Sequence, residues 1–244
     1  MATREISRAG LQESRNVLPI SERPTGFKTA PRIQESLLSG IERKFLLWLA
    51  ARTPAWINSD HLTLFGFLGQ VMAGVSYVLA RHHRWGLVLA TVFLALNWFG
   101  DSLDGTLARF RDRQRPRYGF YVDHIIDTFA AFALMGGLAC SGYVHPYVAL
   151  GMLVAFLMLS IEVYLATYTI GKFQLSYWKF GPTELRIVLG IGNITLLYHP
   201  MAHIAGVQYR LFDVGGVIAI VAMGIMLIVS AIWHTVQLYR EERV

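Results

Sequence analysis

Four carboxylates, Asp101, Asp104, Asp123 and Asp127, stand inside stretches that are otherwise oily. "GLVLATVFLALNWFG" runs directly into "DSLDGTLAR", and Asp123 and Asp127 fall in "YVDHIIDTFAAFALMGG". Steps of three and four residues put Asp101, Asp104 and Ala108 on one face of a helix. Steps of four put Gly119, Asp123 and Asp127 on one face of the next. Asp101 precedes Arg109 by about 12 Å of helix, and Asp127 follows Tyr118 by about 14 Å. Two antiparallel helices joined by a short loop therefore set Asp101 level with Asp127, and Asp104 level with Asp123. Four charges at that depth do not stay bare, because each buried ion is costly and like charges repel. Protons or cations must neutralise them. An all-oxygen ligand set favours hard cations such as Mg²⁺, Mn²⁺ or Ca²⁺. Four carboxylates balance two divalent ions, and two-metal sites suit displacement at phosphorus.

Other residues surround this pattern. Gly105 and Gly119 lack a Cβ, so a backbone or a bulky substrate can approach either of them closely. Arg109 lies two turns beyond Asp101, where its fork of N–H donors suits a phosphate; the other four arginines of that loop read as an ordinary basic flank. Glu162, in "LSIEVYLATYTIGKF", is a lone intramembrane carboxylate and hence a candidate for contact with an acceptor. "FGPTELR" opens another helix, with Pro182 as its starter, Thr183 or Glu184 suited to capping, and Arg186 facing either headgroups or the site. The eight histidines form no ligand pattern and read as structural or interfacial.

The elements that must position these groups are helices in a membrane. The chain is 54% apolar, beyond what a soluble domain of its 244 residues carries. Six spans are expected near 60–80, 85–108, 118–141, 146–170, 184–199 and 214–238, the fifth the shortest, most of them long enough for roughly 30 Å of hydrocarbon. Residues 33–54 read as an amphipathic interfacial helix, with Ile33, Leu37, Leu38, Ile41, Phe45 and Leu49 on one face and Trp48 at headgroup depth. Residues 1–32 are polar and proline-punctuated, and read as a partly disordered cytosolic arm with no cleaved signal peptide. The fold class is thus all-α and polytopic: an interfacial helix, then a six-helix membrane domain over 55–240. Of 22 Lys and Arg, only Arg81, Arg84 and Arg210 fall on one side, so both termini are expected in the cytosol. That bias explains the net charge of +6 by anionic lipid or substrate, without nucleic acid. The single cysteine, Cys140, excludes an internal disulfide and a cysteine-based zinc site.

Asp101-x2-Asp104-Gly105-x2-Ala108-Arg109, nine residues, then Gly119-x3-Asp123-x3-Asp127 resembles the signature of the CDP-alcohol phosphotransferase family, and all eight marker positions are present. The resemblance implies a six-helix homodimer with a cytosol-facing site in each protomer. It implies two divalent cations, Mg²⁺ or Mn²⁺, held by Asp101, Asp104, Asp123 and Asp127, with Asp127 as the general base. Gly105, Ala108, Arg109 and Gly119 would line the pocket for a CDP-linked donor. An acceptor hydroxyl would attack the β-phosphorus and CMP would leave, one of the two substrates being a lipid. "NSDHLT" resembles the family's stretch at the start of the first span, with Ser59 in place of its usual proline. Asp60 and Thr63 are then candidates for nucleotide contact, with an N-cap as the alternative for Asp60. Relatives with phosphorylated acceptors use basic residues near Arg186. "EVY" followed by "GPTE" looks more like relatives handling amino-alcohols, where Glu162 would pair with the cation and Tyr164 or Trp178 would offer a ring face.

Two other readings compete. Asn97-x3-Asp101 faintly resembles an intramembrane prenyltransferase motif, but such enzymes need more helices and two separated aspartate motifs. A divalent-cation transporter would hold its acids at mid-membrane and leave Gly105, Ala108 and Arg109 without a role.

Overall fold

The computed structural model describes residues 32–33, 39–170, 173–174 and 182–242. The expected arm over 1–32 lies almost wholly outside the described residues. Seven helices follow in order: α1 Ser39–Arg52, α2 Ser59–Ala80, α3 Trp85–Phe110, α4 Pro116–Cys140, α5 Pro146–Ile170, α6 Pro182–Tyr198 and α7 Leu211–Glu241. Three of them begin on a proline, whose missing N–H costs nothing in a first turn. Asn58 caps α2, and its backbone N–H donates to His61 Nδ1 at 3.2 Å, so the cap lies two residues before Asp60.

The helices α2, α3, α4, α5 and α7, with 22 to 31 residues each, are long and apolar enough to cross a membrane. The protein is an all-α polytopic membrane protein. The fifth expected span is α6, whose 17 residues reach only about 26 Å. It is nonetheless built into the bundle: Tyr77 on α2 donates to Asn193 Oδ1 at 2.8 Å, and Asn193 Nδ2 donates to Thr91 Oγ1 on α3 at 3.1 Å.

Small residues let α2 serve as the axis of the bundle. A Cβ at Gly100 on α3 would lie 2.5 Å from the Gly66 nitrogen, and one at Gly137 on α4 would lie 2.0 Å from the Gly74 carbonyl oxygen. Backbones touch at both crossings, the arrangement small residues permit between membrane helices. Both α3 and α4 pack on α2, and they make little contact with each other. The apolar core follows the same axis, from Ala73, Tyr77 and Ala80 to Leu87, Leu94, Leu134 and Leu138.

Two elements depart from expectation. Ile33 pairs as part of a short strand, β1 (Arg32–Ile33), with β2 (Phe173–Gln174), and the first helix begins at Ser39 rather than 33. Its buried residues are Leu46 and Ala50, which pack on Leu62, Leu103 and Leu107. Phe45 is half exposed and stacks on Trp48 and Trp98. Leu49 packs against the same cluster, as its place on the apolar face suggests, but Phe45 faces outward, because α1 docks on α2 and α3 as well as carrying outward aromatics. An antiparallel hairpin, β3 (Met201–Ile204) and β4 (Val207–Arg210), joins α6 to α7. Its two-residue turn, Ala205-Gly206, has φ of 50° and 82°, as a type I′ turn requires.

Candidate active site

Since α3 and α4 both lean on α2, a cleft opens between them, and the aspartates enter it from both sides. One carboxylate oxygen from each of Asp101, Asp123 and Asp127 lies within 4.8 Å of the others, and all three residues are half buried. This is an all-oxygen donor set of a size and charge that fits a hard divalent cation.

Asp104 stands apart from that triad. Its Oδ2 accepts from Thr63 Oγ1 at 2.6 Å, its Oδ1 accepts from the Gly105 backbone N–H, and its carbonyl accepts from Ser59 Oγ at 3.1 Å. It remains within electrostatic reach of Asp101 and Asp123. Thr63 is therefore a support for Asp104, a role that spacing within α3 does not reveal, because the hydroxyl comes from α2.

Arg186 reaches the site from α6. Its Nη2 donates to Asp101 Oδ2 at 2.7 Å and its Nε to Asn97 Oδ1 at 2.7 Å. Asn97 is buried and donates from Nδ2 to the Gly66 carbonyl at 3.0 Å. One chain of polar contacts thus runs from the α2 backbone through Asn97 and Arg186 to Asp101. Of the two readings of Arg186, headgroup or site, the site is where it lies.

The other sequence candidates divide. At Gly119 a Cβ would meet nothing within 4 Å, and at Gly105 it would meet only the Arg109 side chain, at 3.3 Å for the nearest atom. Neither glycine serves helix packing, so both leave room beside the acids. Ala108 is half buried and Arg109 is exposed at the end of α3, with Nη2 donating to Thr106 Oγ1 at 3.3 Å. Asp60 forms an ion pair with Arg115, whose guanidinium also covers the Tyr118 ring at 4.2 Å. Glu162 is not one of the three converging carboxylates, and His234 on α7 bonds it through Nδ1 at 2.6 Å. Tyr164 instead meets His124, with ring centroids 4.5 Å apart. His124 Nδ1 donates to the Phe120 carbonyl at 2.5 Å, and no ligand role is needed for it. Trp178, Lys172 and Lys179 lie outside the described residues.

Arg111, read as a basic flank, and Glu42 both prove to be connectors. Arg111 donates from Nη1 to the Ile57 carbonyl at 2.6 Å and from Nη2 to those of Thr53 and Pro54 at 2.7 and 2.9 Å. It ties the α1–α2 loop to the end of α3. Glu42 on α1 accepts at Oε1 from Trp98 Nε1, Ser102 Oγ and Thr183 Oγ1, at 2.9, 3.2 and 3.3 Å. The only signal in the sequence was the i, i+4 pair of polar groups, Trp98 and Ser102, within an apolar span.

Five apolar spans, a carboxylate cleft and its glycine margins agree with the match of residues 56–236 to the CDP-alcohol phosphatidyltransferase profile, and the chain belongs to that family. Similar proteins include the archaetidylinositol phosphate synthases of Pyrococcus horikoshii and Methanothermobacter thermautotrophicus. The first is 32% identical over 89 residues, 36% of this chain and 44% of that protein. The second is 29% identical over 116 residues, 46% of this chain and 55% of that protein. The chain thus spans about half the length of these curated relatives.

Proposed function

We propose that this protein transfers a phosphatidyl or phospho-alcohol group from a CDP-linked donor to a hydroxyl acceptor and releases CMP, as a step of phospholipid synthesis. The observation that carries the reading is the convergence of Asp101, Asp123 and Asp127 oxygens within 4.8 Å in a cleft walled by two helices. Asp101, Asp123 and Asp127 would hold Mg²⁺ or Mn²⁺, with Asp104 beside them for a second ion. Bound there, the cations offset charge on the diphosphate and on the departing CMP.

The chain's own residues supply the rest. Asp127 takes the proton of the acceptor hydroxyl. The oxygen forms a bond to the β-phosphorus, and the bond from that phosphorus to the CMP oxygen breaks. Gly105 and Gly119 leave space for the nucleotide beside Ala108, and Arg109 offers donors to its phosphates. Thr63 keeps Asp104 in place by donating to it, and the Asp60–Arg115 pair closes the edge of the loop beside Ser59.

On the acceptor side, the Glu162 carboxylate is matched by His234, which weakens its case as a partner for an amino-alcohol. Arg186 spends Nε and one Nη2 hydrogen on Asn97 and Asp101, and its remaining N–H groups are available to a phosphate oxygen. A phosphorylated polyol acceptor is therefore the preferred reading, in keeping with the relatives named archaetidylinositol phosphate synthases. A homodimer with both termini in the cytosol completes the proposal.

The test is CMP release in detergent with Mg²⁺ or Mn²⁺. CDP-diacylglycerol is paired with inositol phosphate, glycerol 3-phosphate, inositol, serine, choline or ethanolamine, and CDP-choline or CDP-ethanolamine with diacylglycerol. Metal-dependent CMP from a phosphorylated acceptor is expected. CMP only from an amino-alcohol pair would overturn the acceptor reading. No CMP from any pair, with uptake of Mn²⁺ into liposomes, would overturn the reaction itself.

A further inference from the structure

Beside the carboxylate cleft lies a cavity of about 460 Å³. Its walls come from three elements: Phe45 of α1, Leu94 and Trp98 of α3, and Ile187 and Gly190 of α6, with Arg186 and Glu42 also on its lining. Arg186 bonds Asp101, so the cavity meets the acid cluster at that residue. The lining is otherwise almost wholly apolar, and α1 forms one wall of it. Leu46 and Ala50 pack α1 on α2 and α3, and Glu42 adds a polar tie that reaches α6 as well. One oxygen of its carboxylate takes donors from Trp98 and Ser102 on α3 and from Thr183 on α6. The three elements stitched together at Glu42 are the same three that enclose the cavity. Phe45, one turn on, lies parallel to the Trp98 ring, 6.5 Å between centroids, and extends the seam.

We propose that Glu42 is a positioning residue for the lipid-bearing substrate, clasping α1 to α3 and α6 so that the cavity grips one apolar chain beside the acid cluster. This rests on the reaction proposed above, in which one substrate is a lipid. Glu42 itself touches no reacting atom. Its loss loosens a wall of the cavity and leaves the acids where they are, so it acts on lipid affinity and not on the chemical step.

With the substrate pair that gives CMP, Glu42→Ala is expected to raise KM for the lipid substrate about tenfold, with kcat and the KM of the water-soluble substrate within about twofold. Glu42→Gln restores the wild-type KM, since its Oε1 accepts from the same donors. Combining Trp98→Phe with Thr183→Val removes two donors without touching α1, and reproduces the defect if Glu42→Ala folds poorly. A binding readout independent of turnover is crosslinking of a phospholipid with a diazirine-bearing chain to peptides 87–98 and 183–190, which falls in Glu42→Ala. An unchanged lipid KM, a kcat loss that saturating lipid does not relieve, a Gln variant as impaired as Ala, or unchanged crosslinking each overturns the clasp. Wild-type protein that releases no CMP but still crosslinks through Glu42 overturns the reaction and leaves the clasp standing.

Discussion

The three converging aspartates are not equivalent residues. Asp123 and Asp127 face other carboxylates, while Asp101 also receives the Arg186 guanidinium. Without a metal, crowding among the carboxylates opposes charge on Asp123 and Asp127, and Arg186 offsets it most at Asp101, which it meets at 2.7 Å. Asp123→Asn and Asp127→Asn are expected to raise the metal-free Tm slightly, by on the order of 1 kcal/mol of relieved repulsion, while abolishing CMP release. Asp101→Leu is expected to lower the Tm, because Arg186 is left in a largely enclosed place without its anion. Thermal melts with and without Mn²⁺ check both signs, and the stabilisation by Mn²⁺ should vanish in all three. A uniform drop in metal-free Tm would mean that repulsion is not what this cleft stores. Thr63→Val tests the separate place of Asp104. Losing a charge-assisted hydrogen bond, about 1.5–3 kcal/mol, should cut turnover by roughly tenfold or more, and Thr63→Ser should recover it.

At the scale of elements, the glycines decide where the acids meet. The Gly137 hydrogen occupies a place where a methyl carbon would overlap the Gly74 carbonyl, so Gly137→Ala must push α4 off α2. A stability loss of about 1–3 kcal/mol is expected, with weakened Mn²⁺ binding, because Asp123 and Asp127 ride on α4. Gly119→Ala, which meets only open space, should leave the Tm unchanged and act on the nucleotide KM alone. The order and approximate bounds of α2 to α7 were legible because apolar runs stop at residues with a clear physical role, such as Pro182 and the charged pair Arg81 and Arg84, while α4 and α7 each begin two to three residues earlier than read. The carboxylate cluster was legible because steps of three and four within an apolar helix leave few faces to choose from. What escaped were contacts made by an oxygen or nitrogen from a distant element: Thr63 to Asp104, Glu42 to Trp98, Arg111 to the α1–α2 loop. Nor was it visible that α3 and α4 meet through α2 instead of pressing on each other, since Gly66 and Gly100 reveal their purpose only as a pair.

Across the whole molecule, charge and connectivity together favour one orientation, which a labelling experiment tests. The aspartates, Arg109 and the basic loop to Arg117 lie at the same end of the bundle as the start of α2 and the start of α6. Helix α4 carries the chain from that end to the other and terminates at Cys140, which is exposed. The proposed orientation keeps the basic side in the cytosol, as the positive-inside rule favours, and Cys140 is then expected on the opposite face, with the sparsely charged hairpin that joins α6 to α7. As the sole thiol of the chain, it reports topology without any substitution. A membrane-impermeant maleimide is expected to label the protein in right-side-out vesicles and to fail in sealed inverted ones, with Cys140→Ser as the blank. A cysteine placed at Ala51, at the end of α1, should give the reverse pattern when combined with Cys140→Ser. Labelling of Cys140 only from the inverted side would place the acid cleft away from the cytosol, where a CDP-linked donor is not supplied, and the proposed reaction would then lack its substrate.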